Sequence, residues 1–134
     1  MQIGVLAIQG GFSKHEESLK AINIKPMEVR YESQLKDCDA LIIPGGESTT
    51  ISKLLKKYQL NDSIKHFAKE KPIMGTCAGL ILMSKNSNDD RVDNLNIINA
   101  EVKRNGWGRQ IESFSYRLKL KGIDKEIEAV FIRA

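Results

Sequence analysis

Short apolar runs alternate with helical spacings through the first half of the chain. Ile3 to Ile8 is apolar over a strand's length and is closed by Gly10-Gly11. Ser13 and Glu16 have the spacing of a capping box, and Phe12, Leu19 and Ile22 recur at helical intervals, so a helix is expected there. Pro26 to Tyr31 and Ala40 to Ile43 read as second and third strands, and Pro72 to Met74 as a short buried fourth. Two amphipathic helices are marked by Ile51, Leu54, Leu55 and Tyr58, and by Leu60, Ile64, Phe67 and Ala68. Ala78 to Met83 is apolar on nearly every side, the pattern of a buried helix. Strands that are apolar on both faces and alternate with helices predict an α/β fold: an open, mostly parallel sheet with helices on both faces.

The pattern changes in the second half. Phe114, Tyr116, Leu118 and Leu120 alternate with Ser113, Ser115, Arg117, Lys119 and Lys121, the period of an antiparallel strand with one wet face. Ile127 to Ile132 is a further apolar strand. In an open parallel sheet the site lies beyond the carboxyl ends of the strands. Gly10, the Pro44-Gly45-Gly46 turn and Gly75 each follow a strand, so their loops are expected to converge on one edge.

The length of 134 residues fits one domain, and 41% hydrophobic with 28% charged residues is ordinary for a globular chain. The net charge of +4 is a mild basic excess. Its lysines (Lys53, Lys56, Lys57, Lys65, Lys69, Lys71) fall on polar helix faces with no interleaved aromatics, which favours a solvated surface over a nucleic-acid interface. Cys38 and Cys77 do not make a disulfide framework, and no paired-cysteine motif suggests a metal; neither metal nor cofactor is expected. The first residues have no basic leader and no apolar stretch is long enough to span a bilayer, so a cytoplasmic location and no membrane partner are expected.

Gly75-Thr76-Cys77-Ala78-Gly79 carries the sharpest chemical signal. It follows a strand and opens a helix, as a nucleophile elbow does, with cysteine at the centre. A sharp turn needs glycines where side chains would clash. It also sets sulfur at a helix N-terminus, where an anion is favoured, and leaves the Ala78 amide to face an oxyanion. Cys38, between Asp37 and Asp39, has none of that setting and reads as structural. Pro44 to Thr50 is a second candidate wall: Gly45 and Gly46 let backbone approach a ligand, and Ser48 can cap the next helix. It lacks the lysine of a phosphate-binding P-loop. In Arg104 to Gln110 an arginine fork could hold a carboxylate, or the segment could be a solvated hairpin loop.

Taken together, Gly4 to Gly10, Leu41 to Thr50, Gly75 to Ile81, Arg104-Asn105 with Gly108-Arg109-Gln110, and Phe131 to Ala134 resemble the class I glutamine amidotransferases. Within these they look most like the glutaminases of pyridoxal 5'-phosphate (vitamin B6) synthase complexes, over essentially the whole chain. The resemblance implies a flavodoxin-like amidotransferase fold and hydrolysis of L-glutamine by Cys77, with ammonia passed to a synthase subunit. It implies an oxyanion hole from the amides of Gly46 and Ala78, and a glutamine site lined by Gly46, Glu47, Ser48, Arg104, Ile132 and Arg133. Gln9 falls where that family meets its synthase.

The same resemblance places the catalytic base in a His-x-Glu segment near the C-terminus. The two histidines here, His15 and His66, both precede Cys77. His15 shares a stripe with Phe12, Leu19 and Ile22, as a packed or partly buried residue would, and His66 reads as a surface position. The expectation is therefore a single amidotransferase domain over 1–134 that lacks its C-terminal segment and is a poor glutaminase alone. Two alternatives stay open: a docking subunit without chemistry, and a cysteine hydrolase of the DJ-1/PfpI type. Gln9 in place of an acidic residue, and Ala78 directly after the cysteine, count against the latter.

Overall fold

The computed structural model describes residues 1–103, 106, 110–122 and 124–131. The chain forms two compact units, Met1–Val102 and Lys103–Ala134.

In the first unit, β1 (Ile3–Leu6), β2 (Pro26–Val29), β3 (Ala40–Ile43) and β4 (Ile73–Gly75) form one sheet in the order β2-β1-β3-β4. All its ladders are parallel, with Ile3 opposite both Pro26 and Ala40, and Leu41 opposite Ile73. Parallel neighbours need crossovers. Helix α1 (Phe12–Ala21) links β1 to β2, α2 (Ser48–Lys57) and α3 (Leu60–Glu70) link β3 to β4, and α4 (Ala78–Met83) follows β4.

Alternation along the strands sorts the core into two layers. Leu6, Leu41 and Ile43 point to one face, where they meet Ile51 and Leu55 of α2, Leu60, Ile64 and Phe67 of α3, and Leu82 of α4. Val5 and Ile42 point to the other, where Leu19 and Phe12 of α1 cover them. Helices therefore lie on both faces, as the apolar-on-both-sides strands require.

Four local expectations are corrected. The fourth strand is not buried: β4 ends the sheet order, with Ile73 half-buried and Met74 54% exposed. The Ser13–Glu16 capping box does not form, because α1 begins at Phe12 with Gly11 as its N-cap and no side chain capping it. β2 ends at Val29 and not Tyr31, because Gln34 draws the chain into a 3₁₀ turn over Glu32–Asp37. Its Oε1 accepts from the backbone N–H groups of Arg30 (2.8 Å) and Tyr31 (2.9 Å). β1 stops at Leu6, short of Ile8, although the Ala7 N–H still reaches the Val29 carbonyl at 2.9 Å.

In the second unit, β5 (Phe114–Lys119) and β6 (Glu126–Phe131) pair antiparallel. The register puts Phe114, Tyr116 and Leu118 opposite Phe131, Ala129 and Ile127, and the Phe114 and Phe131 rings stack 5.0 Å apart. On the other face Arg117 opposes Glu128 and Lys119 opposes Glu126, so opposite charges meet across the strands. The predicted strand end at Ile132 lies outside the described residues.

Candidate active site

Three loops leave the carboxyl ends of β1, β3 and β4 and meet. The β1 loop carries Gly10, with φ +97°, a conformation that suits glycine. A Cβ there would lie 3.0 Å from the Gly45 carbonyl carbon and 3.1 Å from Gly46 Cα, so glycine permits this approach. The Gly11 N–H donates to the Gly45 carbonyl at 2.9 Å, and the Glu47 N–H donates to Gln9 Oε1 at 3.2 Å. On its other side the β3 loop meets the β4 turn: a Cβ at Gly45 would stand 3.4 Å from Cys77 Cβ.

The β4 turn has the elbow form its glycines require. Cys77 is the N-cap of α4, with φ 50° and ψ −107°, and its side chain is exposed. The Thr76 N–H donates to the Ile43 carbonyl (3.1 Å), and the Thr76 carbonyl accepts from the Gly79 N–H (2.9 Å). Ala78 opens the helix, so its N–H has no intrahelical acceptor.

Ser48 does not cap α2. The N-cap is Glu47, whose carboxylate accepts from the Thr50 N–H at 2.9 Å and also from the hydroxyls of Thr49 and Thr50. A carboxylate on a longer side chain reaches back over the first turn, and the helix starts one residue earlier than Ser48 capping would allow. The hydrogen bond from Thr49 first, and then the Thr50 N–H, hold the Glu47 carboxyl down from its ordinary 4.5 to about 2. A depressed carboxyl stabilises the fold fully above pH 4.5, and that contribution is lost as pH falls through about 2. An NMR titration is expected to place the Glu47 midpoint near 2. In Glu47→Gln, the acid-side loss of α2 order between those two pH values should disappear.

Ser48 is the first residue of α2; it is 2% exposed, and among the described residues its Oγ has no hydrogen-bond partner. Cys38 is fully buried, with its thiol directed to the Gln34 carbonyl at 3.4 Å. Burial pushes that thiol up, with smaller contributions from Asp37 and Asp39 against the opposing charge of Lys71. This agrees with its reading as a structural residue.

The structure thus brings Gln9, Gly46, Glu47 and Cys77 onto adjoining loops, with Ser48 and Ala78 opening the helices that follow two of them. Arg104, Ile132 and Arg133 lie outside the described residues. His66 is exposed on α3, beside a surface hollow that it shares with Glu32, Leu35, Lys36, Phe67 and Lys71. That hollow contains no group from the three convergent loops. Sequence reading missed one contact: His15 Nε2 lies 2.9 Å from Thr76 Oγ1. The stripe containing His15 suggested packing, but nothing in the sequence pointed to its partner.

The profile of the family described as SNO glutamine amidotransferase matches residues 5–134. A protein of Oenococcus oeni named pyridoxal 5'-phosphate synthase subunit PdxT is 46% identical over 134 residues, covering all of this chain and 70% of its own. One of the same name from Halorubrum lacusprofundi is 45% identical over 141 residues, covering all of this chain and 72% of its own. Among solved structures, a crystal structure of a glutamine amidotransferase superposes with a TM-score of 0.86 at 41% identity, covering 98% of this chain and 71% of that one.

Proposed function

The chain belongs to the SNO glutamine amidotransferase family, its activity is glutamine hydrolysis feeding pyridoxal 5'-phosphate synthesis, and we propose that Cys77 is the nucleophile. The observation that carries this is the exposed Cys77 side chain on an elbow that abuts the Gly45-Gly46 loop. The reading takes residues 1–134 as one amidotransferase domain acting in the cytoplasm. Among the described residues no helix is long and apolar enough to cross a membrane.

In the proposed reaction the Cys77 thiolate adds to the side-chain amide carbon of L-glutamine. The carbonyl electron pair moves onto oxygen, facing the N–H groups of Gly46 and Ala78. The nitrogen takes a proton, the C–N bond breaks, and ammonia leaves. Water then attacks the thioester, the C–S bond breaks, and glutamate and free thiol remain. The proton that the leaving nitrogen takes is the one the thiol gave up; among the described residues no histidine hydrogen-bonds to the Cys77 sulfur. Gly46, Glu47 and Ser48 line the glutamine site, and the Ser48 hydroxyl, without a partner among the described residues, supports that role. A synthase subunit receives the ammonia and docks at Gln9. The Gln9 bond to Glu47 N–H then gives docking a direct hold on the oxyanion loop. No nucleic acid takes part.

Gln9 and Ala78 occupy the positions where a DJ-1/PfpI-type hydrolase would carry its own chemistry, and the elbow speaks against a purely docking role. A glutamine-like diazoketone tests the reading. It forms a thioether as dinitrogen leaves and the former diazo carbon takes a proton. Peptide mass spectrometry should find the adduct on Cys77 and not Cys38, and excess glutamine should prevent it. Labelling of both cysteines, or of neither, would overturn the proposal.

A further inference from the structure

The residue before the nucleophile is held at every polar atom. Thr76 donates its N–H to Ile43 and accepts from Gly79 at its carbonyl, while its hydroxyl meets His15 Nε2 at 2.9 Å. A threonine hydroxyl both donates and accepts, so this contact forms with either imidazole tautomer. His15 reaches it from the body of α1, 61 positions away in sequence. α1 is already seated by Leu19, 7% exposed, and by Phe12 against the sheet, so the half-buried histidine is not needed to pack the helix. The same β1–α1 segment grips the other wall, through Gly11 on the Gly45 carbonyl and Gln9 on the Glu47 N–H.

We propose that His15 is a positioning residue: through Thr76 it sets the elbow peptide, so that one segment, Gln9 to His15, spaces the nucleophile and the oxyanion loop. This rests on the glutaminase reading of the site. His15 does not touch substrate; it acts on where the sulfur stands, and a displacement of about 1 Å in a reacting group costs on the order of 100-fold in rate.

The test is the kinetics of Cys77 capture by a glutamine-like diazoketone in the full 134-residue chain, with circular dichroism confirming the fold. His15→Leu and Thr76→Val are each expected to slow capture at saturating reagent about tenfold, with the half-saturating concentration unchanged. The double variant should be no slower than either, because both remove one contact. His15→Gln, whose amide nitrogen reaches the place of Nε2, should restore the rate, and His15→Asn, which falls short, should not. The Gln and Asn pair also serves if leucine at this position unfolds the chain. Parent-like capture by His15→Leu, effects that multiply in the double variant, or equal rates for Gln and Asn would each overturn the role of His15 alone. Failure of the parent chain to be captured would overturn the glutaminase site, and this inference with it.

Discussion

Cys77→Ser, assayed with a pyridoxal 5'-phosphate synthase subunit, is expected to release ammonia from glutamine at least ~10³-fold more slowly than the parent, in line with the cost of losing a covalent nucleophile. The substitution exchanges one atom. It keeps the N-cap position, the small side chain and the exposure of the site, so folding and glutamine binding should survive. The loss follows from the nucleophile itself: a thiol is partly ionised near neutral pH and strongly nucleophilic, whereas a hydroxyl needs a well-placed base to remove its proton during attack. Serine is therefore a sharper test than alanine, because it separates nucleophilicity from occupancy. Ammonia release within tenfold of the parent would mean that another residue attacks the amide.

The second large effect is expected from Gly79→Ala, on stability. A Cβ at position 79 would come within 3.0 Å of the Ile43 carbonyl oxygen and lie 2.9 Å from its carbon. Both are backbone atoms of β3, which is paired on both sides, with β1 and with β4. The strand cannot yield, so α4 must lift away, opening the packing of Leu82 and Met83 against the core. Overpacking of this kind costs about 1–3 kcal/mol, and more where the obstacle is backbone. Chemical denaturation should show a loss of about 3 kcal/mol or more, and Cys77 capture should fall in the protein that remains folded. A loss below about 1 kcal/mol would show that α4 packs more loosely on β3 than the geometry indicates.

The elbow was legible because its constraint is local: two glycines four residues apart between an apolar strand and an apolar helix admit few other conformations. β3 was legible to the residue, since Asp39 and Pro44 bracket its four apolar positions. The start of α4 at Ala78 was legible too, but two other helix starts were not. Ser13 and Ser48 both have good capping chemistry, but Gly11 and Glu47 lie upstream of them. Tertiary contacts decided the matter, with Gly11 committed to the Gly45 carbonyl and Glu47 to Gln9. The 3₁₀ segment at Glu32–Asp37 left no trace because its 6 residues are too few to show a period. The contact between His15 and Thr76 joins residues 61 positions apart, and only the parallel order β2-β1-β3-β4 brings their loops together. Pattern reading ranks residues by neighbourhood along the chain, and a partner across the sheet has none.

Among the described residues, five that are not glycine adopt positive φ, and three of these are asparagines, which tolerate it. Cys77 is another, and its ψ of −107° puts it outside the left-handed helical basin as well. A residue so placed carries about 1–3 kcal/mol of backbone discomfort, against a total stability of about 5–15 kcal/mol for a typical domain. With Cys77 as the proposed nucleophile, thermal robustness and reactivity pull in opposite directions at position 77. A lineage drifting toward sturdiness there would go silent before it became unstable, and a melting curve alone would record that silence as an improvement.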